Sequence, residues 1–335
     1  MKYDLSVGTA RNTLIVACVF TGLAVIATIL RIMSKRLRKA RLMVDDFLIL
    51  TALALLFASL GIFASGLTSG LGRHLRDVQR NDFVKILKLT LPFRILYGLE
   101  MTLVKMAIIT FYFRLFGSIR SFRLSAYFVA ILVLLCGATV ILEVLLVCIP
   151  FSKNWNVEKQ GTCMHTREMY VATGSVNIAT DILLMGLPIP YILSMRIDLK
   201  RKLGIIAMFS LGVFNTAVSI LRMRTLLMNN PQDLTFGLAR VYVWSILDPC
   251  VCLINADLPM IKTYFMLVAP KVFGSASDGA SGNARQNMAV LARIVVPGEH
   301  RDVNGSNTDE SEHGQSNALA EEGLITTRPK PFEEA

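Results

Sequence analysis

The sequence predicts an all-α fold: a polytopic membrane protein with a seven-transmembrane helix bundle and a disordered C-terminal tail. Three observations carry this. Of the 335 residues, 53% are hydrophobic and only 18% charged, where a soluble domain carries roughly a quarter charged residues; the mean hydropathy is +0.54. The apolar residues gather into stretches long enough, at about 1.5 Å per residue, to cross a hydrocarbon core of about 30 Å. Lys and Arg crowd alternate short connections, which is how basic residues orient membrane helices. The formal charge of +11 is therefore read as orientation, and nucleic acid is excluded as a partner.

Residues 1–12 are short and polar, with no cleavage pattern behind the first apolar run, so that run is read as a retained span following an extracellular N-terminus. The first span, 13–33, ends in Arg31, Lys35, Arg36, Arg38, Lys39 and Arg41, which assigns this end to the cytoplasm. Asp45 and Asp46 open the second span, 46–68, where carboxylates suit the positive end of a helix dipole. Its end is spaced by Gly66, Gly70 and Gly72, and the loop beyond carries Arg73, Arg76 and Arg80 on the outer side, against the general pattern of charge. The third span, 89–113, holds Arg94, Glu100 and Lys105, with Arg114, Arg120 and Arg123 after it. The fourth, 124–147, holds Glu143 near its outer end. The longest outer loop, 148–168, contains Trp155, and the fifth span, 170–195, precedes Arg196, Lys200, Arg201 and Lys202. The sixth, 203–227, carries Asn215, Ser219 and Arg222 on one face, and the seventh, 241–268, has Trp244 at its outer interface. Seven spans place the carboxyl terminus inside. The division is thus 1–12 extracellular, 13–268 transmembrane and 269–335 a disordered cytoplasmic tail. The tail's apolar patch, 288–296, is too short to span and suits a partner or membrane surface. Its sequon at Asn304 should go unused.

The polar residues inside these spans are the functional signal. An Asp near a helix centre costs about 2.5 to 3.5 kcal/mol on insertion scales, so such groups face a protein interior or a wet cavity. Thr173, Asn177 and Asp181 recur every four residues and share one face of the fifth span, shortly before Pro188 and Pro190 remove backbone donors. At 1.5 Å per residue, Glu100 and Asp181 lie about 17 Å from their outer ends and Asn215 about 18 Å from its inner end. Lys105, Asn255 and Asp257 share a level about 21 to 24 Å down, and Arg222 and Asp248 one nearer the outside. Asp248 and Asn255, seven apart, share a face. The expectation is two layers of ion pairing, Arg222 with Asp248 above and Lys105 with Asp257 below. In the competing reading, Lys105 and Arg222 snorkel to opposite interfaces. The residues expected to form a ligand cavity or buried polar network are Glu100, Lys105, Glu143, Asn177, Asp181, Asn215, Arg222, Asp248, Asn255 and Asp257.

Four cysteines, Cys18, Cys136, Cys250 and Cys252, fall inside spans as small apolar residues. Cys148 and Cys163 bracket the outer loop, and a disulfide there would stabilise by about 3 kcal/mol if that side is oxidising. No metal-ligand spacing is present, and the histidines, His74, His165, His300 and His313, lie outside the spans, so haem and zinc sites have no ligands there. Nucleophile elbows, His-Glu-x-x-His helices and phosphate-cradling loops are absent, and no enzyme or cofactor is predicted. A retinal Schiff base would need a lysine deep in the seventh span, whereas Lys262 lies near its inner end, where it snorkels.

A set of dispersed motifs resembles the fungal rhodopsin-like integral membrane proteins. This seven-helix family includes a membrane protein of the satratoxin cluster and receptor-like surface-sensing proteins. The motifs are Asp45-Asp46, Gly70-Leu71-Gly72-Arg73-His74, Lys105, the outer-loop set Cys148, Pro150, Trp155 and Cys163, then Asn177, Asp181, Leu187-Pro188-Ile189-Pro190, Arg222, Asp233 and Trp244, spread over about residues 10–270. Two positions depart: Asp248 stands where the family pattern has Glu, and Asp257, in Ala256-Asp257-Leu258-Pro259, where it has Cys. The resemblance implies seven helices and a receptor-like role and supplies no ligand. The inward polar stripes carry the further expectation of a plasma-membrane receptor with an outer cavity for a small molecule, lined by Glu143, Arg222 and Asp248 under the Cys148–Cys163 loop, and a signalling partner at the inner loops and tail. The alternative role is an accessory protein of a secondary-metabolite cluster that moves or sequesters its product. The end of the third span, Phe111-Tyr112-Phe113-Arg114-Leu115, lacks the acidic-Arg-Tyr triplet of animal G-protein-coupled receptors.

Overall fold

The computed structural model describes residues 8–156, 159–164, 166–193, 199–228 and 234–268. The expected tail, 269–335, the side chain of Lys262, and Pro231, Asp233 and His165 lie outside the described residues.

Long helices carry the fold: α1 (Gly8–Leu37), α2 (Val44–Thr68), α3 (Arg80–Phe116), α4 (Arg120–Leu146), α5 (Thr166–Gly186) followed by the short α6 (Ile189–Leu193), α7 (Leu199–Leu227) and α8 (Leu234–Val268). Counting α5 and α6 together as one crossing gives seven. Among the described residues, six of the long helices contain a window long and apolar enough to cross a membrane by length and composition. The chain is a multi-pass membrane protein. Such structures are helical because hydrocarbon offers no partner to a free N–H or C=O, and a helix satisfies both internally.

Several boundaries differ from expectation for physical reasons. α3 starts at Arg80 rather than near 89, because its polar opening turns lower the local apolar count without stopping a helix, and α8 starts at Leu234 rather than near 241. Asp82 in the first turn of α3 favours its start through the dipole. The fifth span is not continuous to 195: Pro188 and Pro190 fall where α5 gives way to α6. α3 and α8 tolerate internal prolines, Pro92, Pro249 and Pro259.

α8 is the central element. It packs against α1, α2, α3 and α7, while α3 also meets α2 and α4, and α5 lies between α4 and α7. Tyr242 of α8 stacks on Phe93 of α3 at 3.9 Å and on Phe63 of α2 at 5.9 Å. The apolar side chains pointing away from this core, such as Ile15, Val19 and Ile26 of α1 or Leu124, Phe128 and Ile131 of α4, are exposed and suit lipid. Since lipid tails are as apolar as leucine, close packing and polar contacts between helices hold the bundle.

The glycine-rich turn after α2 is a Schellman motif. Leu71 N–H donates to Gly66 C=O at 3.0 Å and Gly70 N–H to Leu67 C=O at 3.1 Å. Gly70 sits at φ 97°, a conformation glycine adopts without strain. The turn then docks on α8: Gly72 N–H donates to Thr235 C=O at 3.1 Å, Thr235 Oγ1 to Arg73 C=O at 2.8 Å, and His74 stacks on Phe236. At the same end of the bundle, β1 (Cys148–Ile149) pairs antiparallel with β2 (Thr162–Cys163), and the Cys148–Cys163 disulfide closes the loop.

Candidate functional site

A cavity of about 820 Å³ lies between α3, α4, α5, α7 and α8, and Met164 and Glu168 place its mouth at the end carrying the disulfide loop. This is within the range of about 300 to 1,000 Å³ typical of small-molecule sites. Of the residues singled out from the sequence, Lys105, Glu143, Asn177 and Arg222 line it. Asp181 and Asp248 lie behind that lining as their partners. Glu100, Asn215, Asn255 and Asp257 do not line it.

Below the cavity a chain of polar contacts passes through four helices and returns to its start. Lys105 Nζ of α3 donates to Asn177 Oδ1 at 2.9 Å, to Asn177 C=O at 3.1 Å and to Thr180 Oγ1 at 2.8 Å, and pairs with Asp181 Oδ1 at 2.9 Å, all on α5. Ser219 Oγ of α7 stands 3.1 Å from Asp181 Oδ2 and 2.8 Å from Asp248 Oδ1 of α8. Tyr97 OH of α3 donates to Asp248 Oδ2 at 2.8 Å. The ring runs α3, α5, α7, α8, α3. Each carboxylate in it is deeply buried, which is tolerable only because its oxygens are met by donors. Ser219 has one proton, so its hydroxyl serves one carboxylate at a time.

Nearer the mouth, Arg94 of α3 pairs with Glu143 Oε1 of α4 at 2.8 Å and donates to Tyr170 OH of α5 at 2.8 Å, lying 4.1 Å over that ring. Thr173 Oγ1 adds a 3.1 Å hydrogen bond to Glu143 Oε2.

Arg222 is held differently. Its Nε is 3.5 Å from Asp248 Oδ2, and its guanidinium lies 4.4 Å over the Tyr97 ring. Nε is buried without a hydrogen bond. The expected upper pair thus meets as a long ion contact.

The expected lower pair is corrected: Lys105 binds Asp181, and Asp257 binds Arg31. Depth arithmetic fixes a level but not an azimuth, and the shifted starts of α3 and α8 displaced both counts. Asp257 faces α1, where Arg31 Nη1 reaches Oδ1 at 3.3 Å and Thr28 Oγ1 donates to Oδ2 at 3.0 Å. Arg31 also pairs with Asp45, and with Asp46 at 2.9 Å; Lys35 pairs with Asp46 at 2.5 Å and Asp45 at 3.5 Å; Arg114 meets Asp45 at 3.4 Å. Three cations thus meet three carboxylates at the end of the bundle away from the cavity. Asp46 also accepts the Met43 N–H at 2.8 Å, capping α2.

The charge pattern of the sequence places Arg31 and Lys35 in a basic cluster at the cytoplasmic end and Asp45 and Asp46 on a helix dipole. All four are buried. The available signal was the near-simultaneous end of one span in cations and start of the next in carboxylates. The roles of Tyr97, Tyr170 and Thr28 had no signal in the sequence. Glu100, buried, accepts from Ser59 Oγ at 2.5 Å. Asn215 and Asn255 each keep an Oδ1 without a hydrogen bond among the described residues. No group of three or more His, Cys, Asp or Glu is placed to hold a metal among the described residues.

The geometry of a helical bundle with buried charge layers agrees with the family comparison, in which the fungal rhodopsin domain matches residues 30–267. The chain belongs to this family. Similar fungal rhodopsin relatives are a SAT4 family membrane protein of Emericella nidulans, 29% identical over 58% of this chain and 50% of that protein; the polyenoic acids biosynthesis gene cluster protein Ba17b of Metarhizium anisopliae, 27% identical over 82% and 78%; and Receptor GIN3 of Arthrobotrys oligospora, 24% identical over 84% and 74%. The match thus spans only half the length of the first of these. No solved structure matches.

Proposed function

We propose that this fungal rhodopsin domain is a receptor-like protein of the plasma membrane whose cavity takes a small molecule from the outer side. The observation that carries this is the position of the cavity. It opens at the disulfide end and rests on a ring of hydrogen bonds and ion contacts linking α3, α5, α7 and α8. A molecule touching Lys105, Asn177 or Arg222 would bias the spacing of those helices, which is the differential contact a ligand needs to shift a conformational equilibrium. The disulfide supports an oxidising compartment at the mouth. Arg36 in the last turn of α1, and Arg38, Lys39 and Arg41 after it, support a cytoplasmic face at that opposite end. Signals would leave through that face and the tail.

A second reading is favoured by a relative named for a polyenoic acids biosynthesis cluster: an accessory membrane protein that moves or sequesters a pathway product. Deleting the gene and profiling secreted small molecules alongside responses to external cues separates the two. Unchanged metabolites with a blunted response support the receptor. A lost or intracellularly trapped metabolite with normal responses overturns it in favour of the pathway role.

A further inference from the structure

The cavity is asymmetric in its unspent hydrogen-bonding capacity. Every buried carboxylate around it already has a charged or hydroxyl partner: Glu143 has an ion contact with Arg94 at 2.8 Å on Oε1, an atom that makes no hydrogen bond, and Thr173 on Oε2; Asp181 has Lys105 and Ser219; and Asp248 has Tyr97, with Ser219 and Arg222 beside it. Glu168, the other acid on the wall, is exposed at the rim. The donors are not all engaged. Among the described residues, Arg222 makes one 3.5 Å ion contact and no hydrogen bond, although a guanidinium carries five N–H donors in a fixed fork. Asn177 has its Oδ1 tied to Lys105 Nζ at 2.9 Å, which fixes the amide orientation and leaves Nδ2, buried, without a partner. Both residues line the cavity. The rest of the wall is largely apolar, including Met101, Val133, Val140 and Leu238.

On the reading that the cavity binds a small molecule, we infer that its ligand is an amphipathic organic anion. A carboxylate head is held by the Arg222 fork, and an apolar body fills the chamber toward α4 and α8. A planar carboxylate matches the guanidinium fork. A cationic ligand would find no free buried carboxylate. A purely apolar one would leave the Arg222 fork desolvated and unpaired, the costly outcome for buried donors.

The test uses the purified full-length chain in lipid nanodiscs, titrated with dodecanoate, dodecanol and dodecylamine, with empty nanodiscs subtracted for bilayer partitioning. Dodecanoate should bind saturably at one site, about tenfold or more tighter than dodecanol, and dodecylamine not at all. Arg222→Gln should cost dodecanoate about tenfold to a hundredfold and leave dodecanol unchanged, and Arg222→Lys, which keeps the charge but loses the fork, should fall between. Unfolding temperatures without probe establish that each variant is folded. Leu238→Trp, which fills the chamber, should abolish both binders. If dodecanoate and dodecanol bind alike, are both blocked by Leu238→Trp, and ignore Arg222→Gln, the anion inference is overturned while the cavity reading stands. Preference for dodecylamine overturns the inference outright. Absence of saturable binding by all three probes overturns it as well, and leaves the cavity reading to be judged by function in cells.

Discussion

Arg31 answers for three carboxylates, Asp45, Asp46 and Asp257, at 1% exposure. Removing one partner of a buried charge cluster leaves uncompensated charge, so Arg31→Ala should destabilise by about 3 to 5 kcal/mol. Thermal unfolding in detergent checks this, and a shift no larger than that of an exposed substitution such as Arg36→Ala would contradict it. The same cluster explains how Asp257 is accommodated inside the bundle: Arg31 and Thr28 supply its donors. The corrected pairing of Lys105 has its own test. Lys105→Asp should abolish membrane expression, and Asp181→Lys in the same chain should restore part of it, because the two groups are 2.9 Å apart. Rescue by Asp257→Lys instead would reinstate the pairing inferred from depth. At this scale the sequence showed the burial of charges well inside an apolar span, which have few other places to go, but not that of Arg31, Lys35, Asp45 and Asp46 at span ends. It did not show which groups meet, since helix periodicity gives a face on one helix and says nothing of which neighbour that face meets.

Single elements were legible where a local chemical rule applies. The Gly70 turn, the Cys148–Cys163 loop and the polar stripe on α5 follow from glycine freedom, thiol pairing and fourfold spacing, and each has the expected place. The early start of α3 and the break after α5 were less legible: a polar first turn and a proline pair change the apolar count in ways that do not reveal whether a helix continues. Two element-scale predictions follow from close contact and from loop closure. A Cβ added at Gly98 of α3 would stand 2.8 Å from Val140 Cγ1 of α4, so Gly98→Val should force these helices apart and destabilise by about 1 to 3 kcal/mol. Intact stability in an unfolding assay would refute the close approach. Cys163→Ser should lower stability by about 3 kcal/mol for a loop of separation 15. That loss should match the effect of a reductant on the parent chain, and it should disappear when the reductant is applied to the variant.

The bundle as a whole joins two polar layers through α3 and α8. One layer is a charge-matched cluster of Arg31, Lys35 and Arg114 with Asp45, Asp46 and Asp257; the other is the four-helix ring beneath the cavity, with Arg222 at its edge. In lipid, where apolar packing alone discriminates weakly between helix arrangements, such contacts specify neighbours. Seven spans were readable from hydropathy, and the cavity was foreshadowed by inward polar stripes. Its volume and its surplus of donors depend on side-chain pairings that no single-helix pattern contains. The most direct test of the cavity as the working site is complementation of a deletion strain at matched membrane abundance. Wild type should restore the response to the external cue, and Leu238→Trp and Arg222→Gln should each fail to. Full restoration by both variants would contradict the account and leave the cavity without a functional role.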